Sequence, residues 1–157
     1  MNGSLETRIP KICPSIRIEQ VDPQSESTLA QRKKIIDTLE KSKEWVYLDD
    51  GVAQFRFFAW LPEYEDAVGI RSLVPSSTPG MYALSSMVHP DFRNRGVSTA
   101  LAVYAVEFAK DSEEIKALYG HVRPGSYAEK TLKSLGFECM GPPSPESKNL
   151  TYLLRVR

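Results

Sequence analysis

Thiol and imidazole are scarce in this chain: two cysteines, Cys13 and Cys139, and two histidines, His89 and His121, occur in 157 residues. The cysteines lie far apart and none of these side chains falls at Cys-x-x-Cys or Cys/His ligand spacing. Neither a zinc site nor a disulfide framework is therefore expected, and no metal is predicted. A reducing cytoplasm suits such a chain. Charge of one sign is missing as well, since 20 Lys+Arg balance 20 Asp+Glu for a formal net charge of +0. A nucleic-acid module usually carries a basic excess, so that class is disfavoured. Long hydrophobic runs are also lacking. Residues 1–10 contain Glu6 and Arg8 instead of the apolar core of a signal peptide, and no later stretch is long and apolar enough to span a bilayer. A soluble, intracellular protein without a membrane partner is the expectation.

What is present is the composition of an ordinary globular domain, with 41% hydrophobic, 10% aromatic and 25% charged residues. A chain of this length buries one core without covalent help. One domain over 1–157 is expected, with 1–14 as a flexible N-terminal segment.

The pattern along the chain is mixed. Residues 15–21 alternate polar and apolar side chains as a half-buried strand does, and Asp22-Pro23 ends it. Over 25–43, Leu29, Ile35, Ile36 and Leu39 recur at helical spacing among lysines and glutamates, which fits one amphipathic helix or two short ones. Residues 45–48 and 52–60, aromatic and β-branched around Asp49-Asp50-Gly51, read as an antiparallel hairpin. An irregular connection over 61–80 follows, with room for a short strand at 67–74.

Then come a strand over 81–88, a helix over 97–110, a strand over 115–122 and a helix over 126–135. The 97–110 helix places Val97, Leu101, Tyr104 and Phe108 on one face. Ser126-Tyr127-Ala128-Glu129 reads as a capping box and Gly136 as a stop. A short strand at 137–140, a Pro/Ser-rich loop over 141–148 and a last strand at 149–155 close the chain. Cys139, on the short strand, is expected to be buried.

The informative segment runs from Val88 to Ala100 and contains Arg93-Asn94-Arg95-Gly96-Val97-Ser98-Thr99, a basic turn leading from a strand end into an apolar-faced helix. A helix start leaves backbone N–H groups unpaired and carries positive potential, so a diphosphate docked there gains several charge-assisted hydrogen bonds. Gly96 lets backbone approach phosphate closely, and Arg93 and Arg95 add guanidinium forks that match phosphate geometry. The plainer reading is a solvated basic turn.

Arg93-x-x-Gly96-x-Ser98 resembles the acetyl-CoA pyrophosphate loop of the GNAT superfamily of N-acetyltransferases, Gln/Arg-x-x-Gly-x-Gly/Ala, with Ser98 in place of the last small residue. The segment 128–137, closing Leu135-Gly136-Phe137, looks like the family's second motif, so the resemblance covers about half the chain, from 81 to 141. It implies an α+β acyl-CoA N-acyltransferase fold, with a mixed, mostly antiparallel sheet flanked by helices. It implies acetyl-CoA as co-substrate, held by Met87 and Val88 along the pantetheine arm and by Arg93, Asn94, Arg95, Gly96, Val97, Ser98 and Thr99 around the phosphates. The strands over 81–88 and 118–122 are then parallel and splay apart at one end. Acetyl transfer to a primary amine of a small molecule or protein, by direct attack, is the activity implied. The amine acceptor is not identified, and a homodimer is compatible with the chain.

The catalytic groups are harder to assign. Transfer to an amine needs a base for its proton, a donor for the carbonyl oxygen and often an acid for the thiolate. Residues 82–88 hold no carboxylate, the family's usual Asn falls at Gly125, and its usual Tyr acid falls at Leu132. His121 is the first candidate base, with a structural histidine as the alternative. The hydroxyls of Ser85 and Ser86 are candidates to hold a water or the substrate. Tyr127 and Tyr119 are possible phenol donors, whereas His89 reads as a loop residue. The run Glu63-Tyr64-Glu65-Asp66 either attracts a cationic amine or is a solvated loop. An acyl-CoA-binding module without turnover is the rival function.

Overall fold

The computed structural model describes residues 15–43 and 52–157. Its strands are β1 (Arg17–Val21), β2 (Phe55–Trp60), β3 (Gly69–Pro75), β4 (Met81–Val88), β5 (Ala117–Val122), β6 (Glu138–Gly141) and β7 (Leu150–Arg155). Three helices of more than one turn accompany them: α1 (Glu26–Lys41), α2 (Val97–Lys110) and α3 (Tyr127–Ser134). Among the described residues the strands form one sheet in the order β1-β2-β3-β4-β5-β7-β6. Every neighbouring pair is antiparallel except β4 and β5. That parallel pair needs a long crossover, and α2 supplies it. The expected α+β fold, mostly antiparallel with helices on both faces, is what the chain adopts.

Period-2 alternation sends successive side chains to opposite faces. Phe57 and Leu73 join Val97 and Leu101 of α2 on one side, while Phe58 and Ile70 meet Ile35, Ile36 and Leu39 of α1 on the other. α1 begins at Ser25, whose extended backbone and Oγ, accepting the Thr28 N–H at 3.2 Å, form an N-cap. It is a single helix. Its buried stripe is centred on Thr28, Ile35 and Leu39. Leu29 lies about 100° around the axis from Thr28 and is 38% exposed, so the expected face is rotated away from it.

α2 is buried on more than one face. The deepest line is Val97, Leu101, Ala105 and Ala109, each at 1% exposure or less. Tyr104 and Phe108, expected on that face, sit on its flank, where their rings pack on Phe57 at 5.2 and 5.1 Å. The helix reaches the sheet so closely because of Gly69: a Cβ there would meet Val97 Cγ1 at 2.7 Å and Leu101 Cδ1 at 3.0 Å. At the other end Arg157 Nη1 donates to the Ala109 carbonyl at 2.9 Å, placing a cation at the helix C-terminus.

Two other expectations are corrected. The hairpin partner at 45–48 lies outside the described residues, as does the 1–14 segment. β2 has β1 along one edge and β3 along the other, so the long-range pairs, not the Asp-Asp-Gly signal, define its neighbours. The connection over 61–80 does hold a strand close to the expected 67–74, β3, which is an inner strand of the sheet. Cys139 is exposed, because β6 is an edge strand lying over solvent. No helix among the described residues is long and apolar enough to cross a membrane.

Candidate functional site

Strands β4 and β5 are paired only over Met81–Ala83 and Ala117–Tyr119. Beyond that they part, each keeping its other neighbour: β4 stays on β3 as far as Val88, and β5 stays on β7 as far as Val122. The edge of β4 from Leu84 onward that faces β5 is therefore left without a strand partner, as an extended ligand arm would require.

At the open end the chain turns through Pro90–Phe92 into α2. His89 is buried here: its Nδ1 accepts the Asp91 N–H at 3.1 Å and its ring packs on Tyr64 and Phe92. It anchors the turn rather than lying loose in it. Asn94 and Gly96 both take left-handed backbone, with φ of 62° and 81°. Such a φ is costly for most side chains, least so for Asn and Gly. Gly96 is the N-cap of α2 and no side chain caps the first turn. Val97 and Thr99 are almost wholly buried, so what they present to a ligand is backbone, and Thr99 Oγ1 is buried without a hydrogen-bond partner.

A groove of about 420 Å³ runs along this surface. It is lined by Ser86, Met87 and Val88 of β4, by Arg93, Asn94 and Gly96 of the loop, by Val97, Ser98 and Thr99, and by Tyr127 and Ala128 of α3. Arg93 also donates from Nη2 to the Val88 carbonyl at 3.4 Å. Arg95 is engaged elsewhere. It pairs with Glu63 and lies over the Phe92 ring, and it does not line the groove. The uncapped helix start and the left-handed turn suit an anionic, phosphate-bearing ligand.

A second cavity of about 220 Å³ continues into the splay, sharing Ser86, Ser98 and Ala128 with the groove. His121 and Ser86 both line it, from opposite strands of the splay. His121 is exposed and its Nδ1 lies 2.9 Å from Thr151 Oγ1. Ser85 is buried opposite Ser72 and lines neither cavity, so the two serines are separated by the pleat. Tyr127 is exposed on the groove wall, and Tyr119 is half-buried beside His121. Leu132 is buried in the core and walls the cavity, so the position of the family's acid is filled by packing.

The acidic run is drawn into the fold. Glu63 pairs with Arg95, which holds its carboxyl below the usual range. Asp66 is lowered likewise by Lys34 of α1, at 2.9 Å, and by Gln31. Tyr64 packs on Phe92.

Two features were not read from the sequence. The capping box at α3 is displaced by one residue. Ser126 Oγ accepts the Glu129 N–H at 3.2 Å as expected, but Glu129 Oε1 accepts from the Gly125 N–H at 2.8 Å. Its Oε2 accepts from the Tyr152 hydroxyl at 2.6 Å. These bonds lower the Glu129 carboxyl and raise the Tyr152 phenol. The phenol comes from a strand 23 residues away in sequence, which no local motif reveals. Helix termination at Gly136 is the expected one, with Gly136 N–H to Lys133 O at 3.1 Å and Phe137 N–H to Leu132 O at 3.0 Å.

The other is Arg71 on β3, 7% exposed, which lines the inner cavity opposite Ser86. Its Nη2 donates to the Ser98 carbonyl at 3.2 Å and its buried Nε has no hydrogen-bond partner. Among the described residues no carboxylate pairs with it, and burial lowers the guanidinium from 12.5 to about 10, which leaves it cationic at neutral pH. The available signal was a lone basic residue in the apolar strand Gly69-Ile70-Arg71-Ser72-Leu73-Val74.

The sequence matches the acetyltransferase (GNAT) family over residues 22–137. The chain belongs to the GNAT family. The match spans both helix-start motifs and the whole of the splay. Among curated proteins none matches the sequence. Solved structures share the GNAT fold at low identity. A GNAT-family acetyltransferase from Staphylococcus aureus Mu50 superposes with a TM-score of 0.65 at 16% identity, over 90% of this chain and 100% of its own. YncA of Salmonella typhimurium, solved with its cofactor acetyl-CoA, gives 0.67 at 14%, over 92% and 95%. The ribosomal-protein-S18-alanine N-acetyltransferase of Escherichia coli gives 0.60 at 14%, over 90% and 94%. At these identities the likeness concerns the fold, and the GNAT assignment itself rests on the sequence match.

Proposed function

We propose that this chain is an N-acyltransferase that moves an acyl group, acetyl in the reference case, from a CoA thioester to a primary amine of a small molecule or protein. The observation that carries this reading is the continuity of one groove, from the uncapped start of α2 to the parted strands β4 and β5. The backbone of Gly96, Val97, Ser98 and Thr99, with Arg93, holds the diphosphate. The free edge of β4 at Met87 and Val88 pairs with the pantetheine arm. CoA supplies an activated carbonyl. As the amine nitrogen attacks it, the C–N bond forms, the C–S bond breaks and the ammonium proton must leave.

His121, lining the cavity and oriented by Thr151, is the group assigned to receive that proton, directly or through water held by Ser86. Leu132 cannot protonate the leaving sulfur, so CoA departs as thiolate, which a reference thiol pKa of about 8.5 permits. Direct attack is favoured because neither cavity is lined by a cysteine of the described residues, Cys139 being on the far edge strand.

The test is calorimetric titration of the protein with acetyl-CoA, CoA and 3′-dephospho-CoA, followed by thiol release with a panel of amines. Micromolar binding and amine-dependent thiol release support the transferase. A leucine at the acid position favours a second reading, an acyl-CoA-binding module without turnover. Tight binding with no thiol release from any amine would select that module. No binding of any of the three would sink both readings.

A further inference from the structure

The inner cavity contains a charge that acetyl transfer does not use. Arg71 sits on the floor of the splay, more than nine-tenths buried, with Nε unpartnered and no carboxylate pairing with it among the described residues. A cation taken out of water without a counter-charge is strongly unfavourable, and the usual resolution is a nearby anion. We propose that Arg71 selects acyl-CoA donors whose acyl chain ends in a carboxylate, such as succinyl-CoA, over acetyl-CoA. This rests on the reading of the groove as an acyl-CoA site and specifies its donor.

The surroundings favour the acyl chain as the source of that carboxylate. The inner cavity shares Ser86 and Ser98 with the groove that runs to the helix start, so whatever enters it is continuous with the cofactor arm. Its volume of about 220 Å³ is several times the roughly 30 Å³ share of one water. That leaves room for a short chain beyond the thioester. Leu84, Val122 and Leu132 provide apolar walls for methylenes. The pleat points Arg71 and Ser86 to the same face from adjacent strands, a guanidinium fork and a hydroxyl side by side. A planar guanidinium matches a carboxylate with two parallel hydrogen bonds, and low local dielectric strengthens the pair. Beyond the thioester carbonyl that both donors share, acetyl offers Arg71 only a methyl group.

The experiment is calorimetric titration of CoA, acetyl-CoA and succinyl-CoA into the intact protein and into the Arg71→Met and Arg71→Lys variants, with thermal melts of each apo form as a folding control. The expected result is that succinyl-CoA binds the unaltered protein about tenfold or more tightly than acetyl-CoA. The ratio should fall close to one in R71M and lie between in R71K, which keeps the charge but loses the fork. Equal affinity of the unaltered protein for both thioesters overturns the proposal, and this measurement stands whether or not the variants fold. A uniform loss of all three ligands in R71M overturns it as well, by assigning Arg71 to the diphosphate. If none of the ligands binds the unaltered protein, the acyl-CoA reading itself is lost and the proposal with it.

Discussion

Gly69 offers the sharpest test of how the sheet positions the phosphate loop. A methyl group at this position would sit 2.7 Å from Val97 Cγ1 and 3.0 Å from Leu101 Cδ1. The leucine tip can swing aside, but the β-branched valine is stiff at χ1 and lies in the first turn of α2, so the helix start must move. Overpacking of this kind costs about 1–3 kcal/mol, offset by roughly 0.4–1 kcal/mol from reduced freedom of the unfolded chain. Gly69→Ala should therefore destabilise by about 1–2 kcal/mol, or roughly 2–8 °C in melting temperature for a chain of this size. Val97→Ala removes two buried methyl equivalents at about 0.8 kcal/mol each and leaves a cavity, giving about 2–3 kcal/mol.

In the double variant the new methyl occupies the space vacated by the valine. The cost should then be about 2–3 kcal/mol instead of the 3–5 kcal/mol sum, a favourable coupling of about 1–2 kcal/mol. Urea unfolding of the four proteins with a common m-value measures it. Acetyl-CoA affinity should fall in Gly69→Ala and recover in the double variant, because the same contact sets the helix start. Additive losses within about 0.5 kcal/mol would refute the reasoning and mean that α2 does not rest on Gly69 through Val97.

Gly96→Glu should abolish acetyl-CoA binding in calorimetry, since it puts a carboxylate at a left-handed N-cap where phosphate is to dock; retained affinity would move the phosphate site elsewhere. His121→Ala should lower the rate of thiol release by about a hundredfold or more while acetyl-CoA affinity changes little, and an unchanged rate would remove His121 from the base role. Asp66, Glu63 and Glu129 have carboxyls held below their ordinary values of 3.8, 4.5 and 4.5. Each binds protons more weakly when folded, so its contribution is present above the ordinary value and disappears as pH falls through the lowered one. Urea midpoints should thus be level near neutrality and drop steeply below about pH 4.5, and the drop should be shallower in Glu129→Gln.

Local signals were legible without coordinates. The strand and helix order from Met81 to Gly136, the Ser126 cap, the Gly136 stop and the Arg93-x-x-Gly96 turn are short-range. Each is set by side-chain periodicity or by a backbone conformation that particular residues favour. The turn with its helix, taken together with the 128–137 segment, carried the resemblance to the family. Tertiary structure decided what depends on strands distant in sequence. Only the sheet order put β1 and β3 on either side of β2, exposed Cys139 on an edge, and parted β4 from β5 beyond Ala83. The Tyr152 hydroxyl reached Glu129, and Arg71 came to lie beneath Ser86 and Ser98, by the same long-range pairing. Side-chain alternation predicts that a strand residue faces one side or the other, but not what stands there. A lone arginine in an apolar strand therefore acquires a role only when the strands around it are in place.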